Sequence, residues 1–432
     1  MAFTRPAPDA MAGATAIGRD LTTHLVSALG HPIPPAAPAP DLTPAQAWAR
    51  SGAMALTGDP AGPPLAPPAV APAVMEAAGR VMSVLSASAP APDAAALLGE
   101  RARLLSLTRG GRTSCGGATR LVRAADAWVA VALARSVDWA ALPAWLGPGA
   151  STWGDVVSRL RRRPAADACA LADVLEIPAA AVPAVPTMAA AAAPWGIRSV
   201  ASAAHPRPTR PLVADLSALW AGPLCGDLLR RAGARVVKAE DPRRPDGGRL
   251  GAPAFFDAVN AGKEPLAVDL RGPGLASLLA AADVVITSAR PRAFEQLGVD
   301  VDEVLAASPT VWVSVTAYGW SGPERNRVGF GDDVAAGAGL VAVHPDDGEP
   351  RFAGDAVADP LCGTLAATAA LAALAAGGSW FIDASLVGAA RYAVAGGGGA
   401  TVPARRGEDG RWAVEAPGGP EPVAPPRARR GR

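Results

Sequence analysis

The stretch PLVADLSALWAGPLCGDLLRRAGARVVKAED, residues 211–241, predicts the fold of the C-terminal half of the chain. It contains a predicted strand over Leu212–Leu216, a helix over Leu224–Ala232 and a second strand over Arg235–Glu240. Strand, helix and strand in this order form a βαβ unit, which builds parallel sheets. The turn Ser217–Pro223 follows the carboxyl end of the first strand, where open sheets bind ligands.

Further strands alternate with helices downstream of this unit. Strands are predicted over Leu266–Leu270, Asp283–Thr287 and Val311–Thr316, with helices over Gly274–Ala281 and from Ala293. This alternation predicts an α/β fold with a Rossmann-like, doubly wound parallel sheet.

Changes in composition suggest five segments. They are a Pro/Ala-rich extension (1–45), a second folded segment (46–177), a Pro/Ala-rich linker (178–210), the Rossmann-like domain (211–390) and a Gly/Pro/Arg-rich tail (391–432) that we expect to be disordered.

Composition excludes several classes of protein. The net charge of +1 gives no electrostatic basis for binding nucleic acid or a membrane surface. The four cysteines are widely spaced, which favours free thiols over disulfides or a metal site. The N-terminus has no continuous apolar stretch typical of a signal peptide, and the apolar run Leu361–Ala376 is shorter than the roughly 20 residues that span a bilayer. We therefore expect a cytoplasmic protein.

Arginine greatly outnumbers lysine in this chain. Lys238 and Lys263 are the two lysines, and all other basic residues apart from histidine are arginines. Because we attribute this excess mainly to coding bias, a single arginine needs further support before it is assigned a function.

Two segments resemble each other within the chain. ARSGAMALTGDPAGPP (49–64) is similar to AGAGLVAVHPDDGEPR (336–351), and an Ala-rich helix is predicted after each. The second copy places Asp355 and Asp359 before its helix, whereas Glu76 is the nearest acid in the first. Carboxylate chemistry is therefore expected in the second copy and not, in the same form, in the first.

Asp355 and Asp359 lie in the segment GDAVADPLCG, residues 354–363. An aspartate at a helix start often caps the helix, which is the simpler interpretation. The alternative is a nucleophilic or basic carboxylate that apolar neighbours desolvate, approached closely because Gly363 has no side chain.

Nucleotide and triad chemistry find little support in the sequence. Glu240 ends the second strand, where a dinucleotide fold can hold a ribose hydroxyl, but SALWAGP lacks the GxGxxG pattern that cradles a pyrophosphate. No P-loop motif occurs, and none of the histidines lies in a nucleophile-elbow motif.

From about 211 to 390 the chain resembles the class III CoA-transferases, a group with carnitine and formyl-CoA transferases and α-methylacyl-CoA racemases. The similar pieces follow the family's order: VADLSALWAGPLCGDLLRRAGARVVKAE, FFDAVNAGKEPLAVDLR, ADVVITSARPRAFEQLGVD, SPTVWVSVTAYGWSGPE, VGFGDDVAAGAGLVAV, ADPLCGTLAATAALAAL and GGSWFIDASL. In the N-terminal half, SGAMALTGDPAGPP resembles the family's central segment and LVRAADAWVAVALARSVDWAALPAWLG its smaller domain. The resemblance implies a smaller α+β domain and a partial, degenerate copy fused ahead of the Rossmann-like domain.

The resemblance also implies the chemistry. Asp359, four residues before Gly363, matches the family's nucleophile, which accepts an acyl group from acyl-CoA and then carries CoA as a thioester. No metal is implied. The residues that match CoA-binding positions are Trp220 and Ala221, Val268, Asp269, Leu270 and Arg271, Ser288, Ala289 and Arg290, and Arg327 and Phe330. Among them Arg271, Arg290 and Arg327 suit phosphate groups.

Three departures limit the resemblance. Ser288–Ala289 stand where the family often has an Asn-Phe pair, and Asp241 stands at a position that can be Arg. Phe330 stands where racemases have a histidine, which favours CoA transfer to a carboxylic acid over racemisation. A racemase or dehydratase-like enzyme and a non-catalytic CoA-binding subunit remain alternatives. Family members form homodimers, which we expect here.

Overall fold

The computed structural model describes residues 14–86, 93–184, 193–201 and 209–428. The helices are α1 (Ala14–Leu29), α2 (Pro44–Ser51), α3 (Ala71–Leu85), α4 (Glu100–Leu104), α5 (Ser136–Leu146), α6 (Trp153–Leu160), α7 (Ala165–Val174), α8 (Ala221–Arg231), α9 (Gly248–Gly251), α10 (Pro253–Asn260), α11 (Pro273–Ala281), α12 (Pro291–Leu297), α13 (Val301–Ala307), α14 (Gly331–Gly337), α15 (Ala358–Ala376) and α16 (Leu386–Ala395).

The strands are β1 (Leu65–Ala66), β2 (Thr119–Arg123), β3 (Trp128–Ala132), β4 (Ala179–Val182), β5 (Trp195–Ala201), β6 (Leu212–Leu216), β7 (Arg235–Glu240), β8 (Glu264–Ala267), β9 (Val284–Thr287), β10 (Val311–Thr316), β11 (Val341–Val343), β12 (Pro350–Phe352), β13 (Ser379–Ser385), β14 (Val402–Pro403), β15 (Arg405–Arg406), β16 (Trp412–Val414) and β17 (Glu421–Pro422).

The central sheet has the strand order β5-β13-β10-β9-β6-β7-β8. All neighbours in it are parallel except β5, which pairs antiparallel with β13 at the edge. The chain starts in the middle at β6, runs outward through β7 and β8, and then returns to build the other side from β9. This reversal confirms the predicted Rossmann-like, doubly wound sheet, with its switch point between β6 and β9. The βαβ strands keep their predicted bounds, while β8 begins and ends earlier than expected.

Both faces of the sheet are covered by helices, as a parallel sheet requires. The side chains of β10 alternate between two separate apolar cores, because successive residues of a strand point to opposite faces. Val311 and Val313 belong to the core that contains α8 and α15, and Trp312 belongs to the core formed with α11, α12 and α13.

Helix α15 lies at the centre of the larger core. It packs against α3, α8, α14, α16 and strands β10 and β13. Its many alanines favour the helical conformation and allow neighbours to approach closely. By length and composition α15 is apolar enough to cross a membrane, but 89% of its most apolar window is buried inside the protein. It is therefore a core helix, as expected from its Ala and Gly content.

A smaller α+β unit is built on the antiparallel sheet β2-β3-β4. Helices α5, α6 and α7 pack on one face and form a core around Trp145 and Leu142. The other face packs against α14, with Ala130 and Ala336 in a shared cluster. The smaller domain implied by the resemblance is present.

The packing divides the N-terminal half differently from the predicted segment 46–177. Leu21 of α1, Trp48 of α2 and Val74 of α3 belong to the same core as Leu361 of α15. The apolar faces of α1, α2 and α3 are buried against the Rossmann-like domain, and only residues from about Thr119 onward form the smaller unit. Of the predicted extension, residues 1–13 lie outside the described residues.

The predicted linker and the predicted disordered tail both contain ordered strands. Within 178–210, β4 joins the small sheet and β5 joins the central sheet, while 185–192 and 202–208 lie outside the described residues. In the tail, β14 pairs with β1, and β15, β16 and β17 form a sheet beside α2. The prediction of a disordered tail is therefore wrong as far as residue 428. These short strands are ordered because they pair with other strands or pack against distant parts of the chain.

The similarity between residues 49–64 and 336–351 extends to the helices on both sides of these segments. When the alignment is continued without a gap, Pro44 aligns with Gly331, and these are the first residues of α2 and α14. It also sets Ala71 opposite Ala358, the first residues of α3 and α15. We call residues 44–85 the first repeat and residues 331–372 the second repeat. The long helices of the two repeats pack directly against each other.

Candidate active site

The turn between β6 and α8 forms one side of the candidate site. Leu219 has a φ of 69°, a left-handed conformation that costs a non-glycine residue about 1 kcal/mol or more. Its N–H donates to Asp246 at 3.0 Å, which holds the strained residue in place. The N–H of Ala218 donates to Ser288 Oγ at 2.9 Å, so the turn is tied to the end of β9 across the switch point.

The two lysines of the chain stabilise this turn through hydrogen bonds. Lys263 Nζ donates to Asp215 Oδ2 at 2.8 Å and to the Pro223 carbonyl at 2.7 Å, bridging the strand before the turn and the helix after it. Lys238 Nζ donates to the Ser217 carbonyl. Both ammonium groups are buried, and although burial raises the pKa of Asp215, their charges outweigh it and lower that pKa. The turn is therefore held in one conformation by charge-assisted hydrogen bonds.

Asp359 is the second residue of α15 and lies at the N-terminus of α8. The backbone N–H of Ala221 donates to its carboxylate. A β-carbon at Gly363 would lie 2.4 Å from the Ala221 carbonyl oxygen, and one at Gly331 would lie 2.0 Å from Asp359 Oδ2. The two glycines thus allow α8, α14 and α15 to meet around one carboxylate.

Neither aspartate of the segment 354–363 caps α15. The residue at the cap position is Val357, which makes no side-chain hydrogen bond to the helix. Asp355 binds Arg101 instead, and Asp359 accepts from the neighbouring helix α8. The capping interpretation is therefore wrong for this segment.

Three carboxylates and one guanidinium converge at this point. Asp355 is fully buried and accepts from Arg101 Nε at 2.9 Å and from Arg101 Nη2. Asp332, the second residue of α14, accepts from the N–H of Ala356 at 2.9 Å. Ala356 itself has a φ of 42°, so a strained residue lies on this side of Asp359 as well.

Burial and neighbouring negative charges raise the pKa values of two of these carboxylates towards neutral pH. Burial raises the pKa of Asp359 to about 7, helped by the charges of Asp332 and Asp355, while Arg101 and the Ala221 N–H act in the opposite direction. Burial and Asp355 raise the pKa of Asp332 to about 6. Such displaced pKa values are typical of functional carboxylates. The pKa of Asp359 thus lies well above the ordinary value for an aspartate.

Arg101 is a site residue that the sequence did not identify. It belongs to α4, outside the part of the chain that resembles a known family, and its guanidinium lies 5.1 Å from the ring centre of Trp220. Its partner Asp355 is 254 positions away in sequence. An arginine in an arginine-rich chain carries no distinguishing signal, so only the fold reveals the contact.

The predicted CoA-binding residues lie mostly after the carboxyl ends of parallel strands. Trp220 and Ala221 follow β6, the segment from Val268 through Asp269 and Leu270 to Arg271 follows β8, and the segment from Ser288 through Ala289 to Arg290 follows β9. Phe330 immediately precedes α14 and so lies beside the Asp359 cluster. The structure joins the first and third groups directly through the hydrogen bond between Ala218 and Ser288.

The three predicted phosphate-binding arginines differ in their surroundings. Arg327 is ion-paired with Asp173 and Glu324, both at 2.7 Å, and Arg290 with Glu176 at 3.1 Å. Arg271 is exposed. Only Arg271 therefore presents its charge to solvent in the way a phosphate ligand would need.

Arg243 is a further cation that sequence analysis missed. Its guanidinium bridges Asp241 and Asp269 at the ends of β7 and β8. Asp241 occupies the position that can be Arg in the resembling family, so Arg243 restores a positive charge beside it. Arg243 is exposed, but its charge is already paired with two carboxylates, as the charges of Arg290 and Arg327 are paired with theirs.

The structure shows no grouping for a metal ion among the residues that it describes, since no three His, Cys, Asp or Glu side chains there are arranged to hold one. The four cysteines are free thiols, as expected, and three of them are buried.

A sequence model described as CoA-transferase family III matches residues 212–410. The chain is 34% identical over 185 residues to a succinyl-CoA–D-citramalate CoA-transferase of Chloroflexus aurantiacus, which covers 39% of this chain and 46% of the relative. It is 32% identical over 181 residues to a succinate–glutarate CoA-transferase of Agrobacterium fabrum, covering 38% and 45%. The part of the chain from the turn at Ser217 to beyond Asp359 is thus similar to CoA-transferase family III.

The likeness covers only part of each protein. The chain spans about half the length of the curated relatives it matches. A crystal structure of a CAIB/BAIF family protein from Brucella suis is 28% identical, with a TM-score of 0.39, covering 43% of this chain and 55% of that one. Arg101 and the smaller unit lie outside the residues that the family model matches.

Proposed function

We propose that this protein transfers CoA from an acyl-CoA to a carboxylic acid, with Asp359 as the nucleophile. The observation that carries the proposal is the position of Asp359 in the family region. It is a desolvated carboxylate, it accepts a hydrogen bond from a helix N-terminus, and glycines leave space beside it. The relatives are named as CoA-transferases, which supports the same class of reaction.

The reaction proceeds by exchange of acyl groups on Asp359. An Asp359 oxygen attacks the thioester carbonyl, the C–S bond breaks, and a mixed anhydride and CoA thiolate form. The thiolate attacks the aspartyl carbonyl and releases the donor acid, leaving CoA bound to Asp359 as a thioester. An acceptor carboxylate attacks this thioester, and the released thiolate then takes the acceptor's acyl group. The energy of the thioester is conserved, so the scheme calls for no ATP.

The Ala221 N–H supports these steps at the aspartyl carbonyl. In the free protein it donates to the Asp359 carboxylate. Each tetrahedral intermediate at that carbon carries an oxyanion in the same place, where a fixed backbone donor is effective. The lysines that fasten the turn keep this donor from rearranging during the reaction.

CoA is proposed to lie along the carboxyl ends of β6, β8 and β9. Trp220, Ala221 and Ser288 form the wall nearest Asp359, and Arg271 is available for a phosphate. Arg290 and Arg327 are paired with acids of the smaller unit, so we assign them to holding that unit beside the site. We further propose that the protein acts in the cytoplasm and forms a homodimer.

Trapping of the covalent intermediate tests this function. The protein is incubated with a panel of acyl-CoA donors and then with hydroxylamine or borohydride, and peptides containing Asp359 are analysed by mass spectrometry. We expect a hydroxamate or a reduced side chain at Asp359, and none in the Asp359→Ala variant. No adduct and no CoA exchange with any donor would overturn the proposal. Deuterium uptake at the α-carbon of the acyl group without transfer would show a racemase instead.

A further inference from the structure

Arg101 and Asp355 form an ion pair between the N-terminal region and the second repeat. Two hydrogen bonds join the guanidinium to both carboxylate oxygens, one of them 2.9 Å long. Asp355 is completely buried, and a buried carboxylate is strongly destabilising without a partner. The pair therefore fixes α4 against the segment that leads into Asp359.

The guanidinium is enclosed on its other sides as well. It lies over the ring of Trp220 in the turn before α8, a favourable cation–π arrangement. A β-carbon at Gly116 would lie 3.3 Å from Arg101 Nη2, so the backbone of that loop approaches it closely. Arg101 thus touches the turn and the segment that together present Asp359, although it precedes both by more than a hundred residues in sequence.

The titratable groups around Asp359 come from several elements, whereas α8 contributes the backbone N–H of Ala221. α14 supplies Asp332, the segment before α15 supplies Asp355, α15 itself supplies the thiol of Cys362, and α4 supplies Arg101. Arg101 is the cation among these groups, set against three carboxylates. We propose that the Arg101–Asp355 pair is a positioning element that sets the ionisation of Asp359, which makes the N-terminal region part of the catalytic unit. This inference rests on the function proposed above.

The two members of the pair act on Asp359 in opposite directions. Asp355 is a like charge and disfavours the Asp359 carboxylate, whereas Arg101 favours it. While both are present they oppose each other, and the effect of Arg101 on Asp359 is the larger of the two. Removing either one leaves the other uncompensated, so the two single variants are expected to shift the ionisation of Asp359 in opposite senses.

The test is a double-mutant cycle with Asp355→Asn, Arg101→Met and the combined variant. The pH dependence of kcat/KM reports the ionisation of the free protein. We expect the acid limb to move down by about one pH unit in Asp355→Asn and up by a similar amount in Arg101→Met. The acid limb of the double variant should lie between those of the two single variants. Arg101→Lys keeps the charge and should restore the limb to within about half a unit.

Infrared titration of the protonated Asp359 carbonyl band, identified by its loss in Asp359→Asn, gives a readout that needs no activity. If the wild type transfers no CoA, the proposed function fails, yet the band still tests the pair. Arg109→Met is the control, because Arg109 donates to three backbone carbonyls in the N-terminal region. It should lower stability without moving the band. Single variants that shift the band in the same direction, or not at all, would overturn the inference. If Arg101→Met does not fold, Asp355→Asn and Arg101→Lys decide it.

Discussion

The two repeats begin their long helices with different residues at corresponding positions, Pro72 in α3 and Asp359 in α15. Four residues further on, Glu76 stands opposite Gly363. The second repeat needs a glycine there because α8 packs onto it, whereas Glu76 in the first repeat is partly exposed and paired with Arg80 at 2.8 Å. The same arrangement of helices thus surrounds the candidate active site in the second repeat and forms a packing surface in the first.

A cavity of about 330 Å³ beside the first repeat illustrates the same contrast. Pro72 and Glu76 line it, together with Arg50 and Arg80. Those arginines are already paired, Arg50 with Glu421 and Arg80 with Glu76. The first repeat keeps a depression at the start of its helix, but Pro72 stands there at the position of Asp359, and both arginines are paired.

The largest effect should separate the two helix starts. Asp359→Asn is expected to lower kcat/KM for CoA transfer by about 10³-fold or more, because an amide cannot form the covalent intermediate proposed for Asp359. Pro72→Ala at the corresponding position should leave kcat/KM within about twofold. Steady-state kinetics with a thioester absorbance assay measures both. Equal losses in the two variants would contradict the assignment of roles to the repeats.

The second effect concerns the residues four positions later. Gly363→Ala places a β-carbon against the Ala221 carbonyl, so we expect a loss of about 1 to 3 kcal/mol in unfolding free energy and about 10²-fold in activity. Glu76→Ala removes a partly exposed ion pair and should cost less than about 1 kcal/mol. Urea denaturation measures the stabilities. A fully active Gly363→Ala protein would show that α8 does not need to contact α15 so closely.

The smallest effect is a pH dependence of stability. The pKa of Asp359 is about 7 in the folded protein, above its ordinary value, so the folded state binds this proton more tightly than the unfolded state. Stability from this group is complete at low pH and is lost as pH rises through about 7. Asp359→Asn should therefore stabilise the protein by about 2 kcal/mol more at pH 8 than at pH 5. Thermal unfolding at both pH values measures this, and Pro72→Ala should give the same change at both.

The parts of the fold that depend on neighbouring residues in the sequence could be predicted, whereas those that depend on distant residues could not. The βαβ unit has local signals in its apolar strands and amphipathic helix, and its strands were predicted to the residue. Asp359 was chosen over Asp355 through the resemblance to the class III CoA-transferases, whose nucleophile lies four residues before a glycine. Its roles as nucleophile and CoA carrier stay predictions.

Long-range contacts explain what the sequence did not reveal. Arg101 reaches Asp355 only through the packing of α4 on the second repeat. The tail seemed unstructured from its Gly, Pro and Arg content, yet Leu65 and Ala66 supply the partner strand for β14. A short strand has little stability of its own and takes its order from its partner. Composition alone cannot show that such a partner exists.

The burial of both lysines has a consequence for the outer surface of the protein. The amines of Lys238 and Lys263 are buried and donate hydrogen bonds to the turn before α8 and to the start of that helix. Every other basic side chain apart from histidine is an arginine. A guanidinium stays protonated and is a poor acceptor of acyl groups, whereas a free lysine amine is readily acylated. In the reaction proposed here, an activated acyl group released from Asp359 would therefore meet no exposed lysine on this chain.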